Sequence, residues 1–130
     1  MIRRALTISF VLAASAILSA QQKPTSIAAA SAVVEANLKT SEGKAYDAEI
    51  GQAFMKNYAP VVKSCKEKAA GDLRPFDMLI RVDEGGASKE VLLFPLTKLA
   101  QCLRPALLSG TFPKPPKTDY WFDIHLELKH

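Results

Sequence analysis

Residues 76–94 read FDMLIRVDEGGASKEVLLF, and the fold turns on this stretch. Phe76, Met78, Ile80 and Val82 alternate with Asp77, Leu79, Arg81 and Asp83, a period of two that sets one row of side chains into a core. Glu84, Gly85, Gly86, Ala87 and Ser88 form a turn cluster, and Val91 to Phe94 supply a second apolar run. Together they predict a β-hairpin with a loop of several residues.

Upstream the period is that of a helix. Ile50, Phe54, Val61, Val62, Cys65 and Ala69 recur at three- to four-residue steps, giving one apolar stripe that ends at Gly71. Pro60 either kinks this helix or opens a second segment as its first residue, because proline cannot donate to the carbonyl four back. Downstream, Thr97 is placed to cap a second helix carrying Leu99, Cys102, Leu103, Ala106 and Leu107, with Pro105 inside and Gly110 at its end.

FPKPPK, residues 112–117, is a stiff connector of polyproline character; Pro113 to Pro116 formally satisfies the P-x-x-P spacing of polyproline ligands, but a rigid connector that directs the chain from helix end to sheet edge is the commoner explanation. The last strand is the clearest of all. Tyr120, Phe122, Ile124, Leu126 and Leu128 face one way; Trp121, Asp123, His125, Glu127 and Lys129 face the other. The order helix, strand, strand, helix, strand is an α+β fold. A right-handed crossover to the third strand predicts a three-stranded antiparallel sheet in the order 2-1-3, with both helices on one face.

The N-terminal part reads differently. A basic head with Arg3 and Arg4, an uncharged stretch from Ala5 to Ala20 and a polar run from Gln21 match a secretory signal peptide over residues 1–20, cleaved after Ala20. The alternative is a retained anchor, but sixteen uncharged residues span only ~24 Å of helix against a ~30 Å hydrocarbon core. No cysteine follows to accept a lipid. After cleavage no membrane span remains, and the destination is the periplasm or the exterior. Residues 21–46 form a lead-in. Its alanine-rich part, Ile27 to Leu38, is either a short helix capped by Thr25 or Ser26 with Ile27, Val34 and Leu38 on one face, or a loosely ordered segment; Lys39 to Lys44 is a polar connector. Residues 47–130 are the domain proper.

The leader also distorts the composition. The chain has 17 basic and 13 acidic residues, but without Arg3 and Arg4 the basic count falls to 15, and the apolar share of the other 110 residues is about 44%, that of an ordinary globular chain. The sequence pI of 9.1 is thus poor evidence for nucleic acid. Lys63, Lys66 and Lys68 surround Glu67 without aromatic interleaving, which fits a solvated helix face. One small domain is all this length supports.

An exported chain whose two cysteines are Cys65 and Cys102 invites one disulfide, closing a loop worth ~4 kcal/mol in the chain-entropy model. Two free thiols or a catalytic pair are the rivals, and the absence of a Cys-x-x-Cys spacing speaks against the latter. Asp123, His125 and Glu127 share a strand face. Same-face neighbours are ~6.8 Å apart, so the three do not converge on a metal without a bend. No Gly-x-Ser-x-Gly turn accompanies His125 or His130, leaving a nucleophilic triad without support. No cofactor motif is present. Trp121, the one tryptophan, either covers Arg81 and nearby aliphatic stems or anchors a partner strand.

Val61, Val62 and Cys65 on the first helix, the hairpin with Gly85 and Gly86, Cys102 followed at ten residues by Phe112-Pro113-x-Pro115, and the final strand together resemble the C-terminal domain of the TonB and TolA envelope proteins. The resemblance spans about residues 50–128 and is nearest to the AgmX-type variant with two cysteines. It implies a non-catalytic periplasmic domain that grips an envelope protein by adding a partner strand to its sheet edge. The edge would be the last strand, with Tyr120, Trp121, Phe122, Asp123, Ile124 and His125 as the binding residues; the same edge could also serve a homodimer. An energy transducer has a full transmembrane helix and a long spacer, so a soluble domain of the same fold is the reading for this chain. A small secreted hydrolase using His125, or a secreted inhibitor or stress protein of convergent α+β fold, are the alternatives.

Overall fold

The computed structural model describes residues 26–129. The expected signal peptide, its cleavage point and His130 lie outside the described residues. Three helices, α1 (Ile27–Asn37), α2 (Ser41–Lys68) and α3 (Lys98–Leu108), accompany three strands, β1 (Phe76–Val82), β2 (Ser88–Phe94) and β3 (Tyr120–Leu126). The fold is α+β, and the sheet is antiparallel with order β2-β1-β3.

The period-two reading locates the core. Phe76, Met78, Ile80 and Val82 of β1, Val91 and Leu93 of β2, and Tyr120 and Phe122 of β3 are buried against α2 and α3. From α2 come Tyr46, Ile50, Phe54, Tyr58 and Cys65, a stripe one turn longer at its start than the expected one. From α3 come Leu99, Leu103 and Leu107. Aromatic rings tie the layers together: Tyr58 stacks on Phe54 at 5.2 Å and on Phe112 at 5.5 Å, and Phe112 meets Phe122 edge-on at 5.1 Å. Such pairs add stabilisation beyond the area they bury.

The hairpin tip is held by Asp83, whose Oδ1 accepts from the Gly85 and Ala87 amides at 3.0 and 2.9 Å. A register shift next to Arg81 and Val82 leaves Lys89 outside the one-to-one pairing, a β-bulge that twists the hairpin. Gly86 sits at φ +90, where the Phe112 carbonyl occupies the place of a Cβ, and its own carbonyl accepts from the Phe112 amide at 2.8 Å. Glycine is thus needed there for both conformation and space. The Phe-Pro connector is anchored further by the Tyr46 hydroxyl, which donates to the Pro113 carbonyl at 2.8 Å.

Three local features differ from, or decide between, the sequence expectations. Pro60 neither splits nor ends α2, which runs unbroken from Ser41; Pro60 is solvent-exposed, so water can meet the carbonyl it leaves without a donor. The connector expected at residues 39–44 is shorter, since Thr40 caps α2 through a 2.9 Å bond from the Gly43 amide. Ile27 to Asn37 is helical, capped by Ser26, and it does not share a face with α2 and α3. Instead α1 covers the opposite face of the sheet: Ala30 and Val34 bury Leu79 and Trp121, with Ile27 and Leu92 at the margin, while Leu38 remains exposed. The two helices of the expected order lie on one face; α1 adds a third layer.

The disulfide joins Cys65 on α2 to Cys102 on α3, Cα atoms 5.6 Å apart, and no other cysteine exists. Asp72 joins the same two regions by a second route. Its carboxylate accepts from the Arg74 guanidinium and from the Lys98 amide at the start of α3, and these bonds, that from Arg74 first, hold its pKa down at about 2.

Candidate partner-binding edge

A chain that passes from α1 on one face to α2 on the other must cross an edge of the sheet, and it crosses at β3. Asn37, buried at the end of α1, donates from Nδ2 to the Trp121 carbonyl at 3.0 Å. The α1–α2 turn thereby closes over the first half of β3, leaving only a small cleft lined by Val34, Asn37, Gly43, Tyr46, Trp121 and Phe122. Gly43 allows this approach, because the Asn37 carbonyl fills the position of a Cβ.

The six edge residues expected from the sequence therefore divide into two groups. Tyr120, Trp121 and Phe122 are buried and lie under the turn. Trp121, 2% exposed beneath α1, is a core side chain and not a surface anchor, and its cover comes from Ala30 and Val34. Asp123, Ile124 and His125 continue the strand past the turn; Ile124 is half-buried and His125 exposed. The opposite edge, on β2, is engaged by its own chain: the Ser88 amide donates to Gly110, Ala87 bridges Thr111, and Arg104 Nη1 reaches the Val91 carbonyl at 3.4 Å.

Backbone groups of a strand alternate in direction, so the residues of β3 sharing the orientation of Trp121, whose carbonyl meets the crossing turn, are Asp123 and His125. Their amides and carbonyls face outward. On the same side of the pleat, their side chains form a polar cluster with β1. Asp77 stands directly across from His125, and Oδ1 of Asp77 is 3.0 Å from His125 Nδ1. His125 Nε2 is 4.0 Å from Glu127 Oε2, beyond hydrogen-bonding distance. Asp123 faces Leu79 across the ladder, and its Oδ1 is buried without a hydrogen-bond partner. Burial pushes the Asp123 carboxyl up to about 7, helped by the Asp77 charge and by hydrogen bonding with Asp77; His125 pulls the other way and Asp47 adds to the rise. Arg81 forms the other end of this face, paired with Asp119 at 3.0 Å and Glu90 at 3.4 Å.

Chemically, this cluster is two carboxyl groups, Asp77 and Asp123, beside the imidazole of His125. Among the described residues no three His, Cys, Asp or Glu side chains are grouped to hold a metal ion; His125 faces the carboxylates of Asp77 and Glu127, and both thiols are tied up in the disulfide. Sequence reasoning missed Asp77 and Asn37 as parts of the edge. Asp77 was legible as a polar residue on the outer row of β1; Asn37 had no local signal, because its role depends on where the turn crosses.

Comparison with known proteins returns no matching family model, curated protein or solved structure. No helix among the described residues is long and apolar enough to cross a membrane.

Proposed function

We propose that this chain is an exported, non-catalytic protein-binding domain of TonB/TolA C-terminal type, which takes up a strand of an envelope protein along β3 from Asp123 onward. The observation that carries the reading is the outward backbone of Asp123 and His125, beyond the point where Asn37 and the α1–α2 turn close the edge. A strand laid there gains main-chain hydrogen bonds, and its side chains alternate between a polar row at Asp123 and His125 and an apolar row at Ile124 and Leu126. The α+β order, the Cys65–Cys102 bridge and the Phe112-Pro113 connector support the family resemblance; the leader of residues 1–20 supports export to the periplasm.

The test uses the full chain, expressed with its leader and purified as the cell processes it. Immobilised on beads, it should retain a defined protein from a periplasmic extract, and His125→Pro, which deletes an outward amide, should lose that capture while His125→Ala keeps it. Retained capture by a folded His125→Pro variant would count against strand addition. The Asp77–His125 pair is the one observation that leans toward a hydrolase; a turnover abolished by His125→Ala would replace the binding reading.

A further inference from the structure

We infer that α1 is an autoinhibitory strap: docked, it closes the first half of the β3 edge, and on undocking it frees the Trp121 carbonyl and bares an apolar strip on the second face of the sheet for the incoming strand. This deepens the strand-addition reading and rests on it, since the strap regulates the same edge.

α1 is held far more lightly than the other helices. α2 and α3 are joined by the Cys65–Cys102 bridge and bury Tyr46, Ile50, Phe54, Leu99, Leu103 and Leu107 against the sheet. The buried residues of α1 are Ala30, Val34 and Asn37, two short apolar side chains and an amide. Ala28, Ala29, Ala32, Val33 and Ala36 are exposed, as is Glu35, its one charged residue. Among the described residues a single side-chain hydrogen bond, from Asn37 to Trp121, ties this helix to the sheet. Eleven residues of such composition have little helical stability away from a surface, and few buried apolar contacts mark the elements that open before a fold unfolds as a whole. The hinge is in place as well. Leu38, Lys39 and Thr40 are exposed between the helices, and the Gly43 amide caps α2 on the Thr40 hydroxyl whether or not α1 is docked.

What α1 hides continues what the edge already shows. Trp121 shares the outward orientation of Asp123 and His125, so its release lengthens the open run of β3 by one outward position. On the second face the ladder sets Leu79 beside Leu92 and Asp77 beside Phe94, with Trp121 one row away opposite Arg81. Leu79 and Trp121 are 2% exposed beneath α1, whereas Phe94, beyond its cover, is 57% exposed. Undocking therefore adds Leu79, Leu92 and Trp121 to Phe94 as one apolar strip, the kind of surface that marks a binding site. A residue of the incoming strand directly opposite Trp121 points to this face. The partner fitted to the open form thus carries a large apolar side chain there, in the place that Ala30 and Val34 leave. Because its affinity is reduced by the fraction of chains that are open, α1 sets the threshold that a partner must exceed.

The experiment is hydrogen exchange of the full chain, purified as the cell processes it, with acrylamide quenching of Trp121 alongside. The α1 amides should be at least about a hundredfold less protected than those of β1. Ala30→Asp sets a carboxylate beneath α1; it should leave the β1 and β2 amides protected while Trp121 emission shifts to the red and its quenching rises severalfold. Protection of α1 equal to that of β1, or an Ala30→Asp chain that loses protection in β1, would overturn the inference, because α1 is then part of the core. The protein that the wild-type chain retains from a periplasmic extract is the probe of gating, and Ala30→Asp should bind it at least about tenfold more tightly. Equal or weaker binding also overturns the strap. The two readings fail separately: capture by a chain whose α1 exchanges with the core leaves the proposed function standing, whereas an opening α1 with no captured protein removes that function and keeps the strap.

Discussion

Asn37 donates from its side-chain amide to the backbone carbonyl of Trp121 at 3.0 Å, across 84 positions of sequence. This bond fixes where the chain crosses from one face of the sheet to the other, and so how much of β3 is left open. Asn37→Ala removes a buried donor and leaves the carbonyl without it, at a cost of ~1–2 kcal/mol. Urea unfolding should show that loss, and hydrogen exchange should show faster exchange in the α1–α2 turn than in β1.

Trp121 should emit as a buried indole, and as the sole tryptophan it reports the docking of α1 directly. Trp121→Ala opens a cavity between Ala30, Val34 and Leu79 and should cost ~3–5 kcal/mol in denaturant unfolding. A loss below ~1 kcal/mol would mean that α1 does not cover this face.

Reduction is the third test. Cys65→Ala with Cys102→Ala deletes a cross-link over a sequence separation of 37 and should lower stability by ~4 kcal/mol, a large part of what a small domain possesses. Intact mass before and after reduction and alkylation should show no alkylated thiol in the unreduced, denatured protein.

The pH dependence follows from Asp123. Its carboxyl titrates near 7 in the folded chain and in the ordinary carboxylate range when unfolded, so the folded state holds the extra proton between those values. Stability from this group therefore falls as pH rises from about 4 to 7. Asp123→Asn should flatten that slope and gain roughly 1–2 kcal/mol near pH 7, less than the full shift because solvent screens a partly exposed group. Thermal unfolding of both proteins at pH 4, 5.5 and 7 checks the sign. Asp72 acts oppositely and outside this window, since its lowered carboxyl loses its contribution only as pH falls toward 2.

Much of this was legible in the linear chain. Period-two rows at Phe76–Val82 and Tyr120–Leu126, helical spacing from Ile50 to Ala69, the cap at Thr97 and the count of two cysteines all express local stereochemistry or simple counting, which a sequence carries in full. Leu79, Leu92 and Trp121 were a weaker signal. Three large apolar residues on the nominally polar face imply a cover there, but alternation alone names no cover, and the alanine-rich segment has too little propensity or amphipathic contrast to announce itself.

The sequence by itself determined the three strands and the two helices that pack with them, their order, the sheet topology and the pairing of Cys65 with Cys102, because each follows from periodicity, chirality of connection and the presence of only two thiols. Only the tertiary structure decided that α1 lies on the second face and that Asn37 closes half of the β3 edge. It also decided that Asp77, His125 and Asp123 meet across the ladder. These depend on the path of a turn around the sheet and on strand register, which join residues tens of positions apart and leave no periodic trace in the chain.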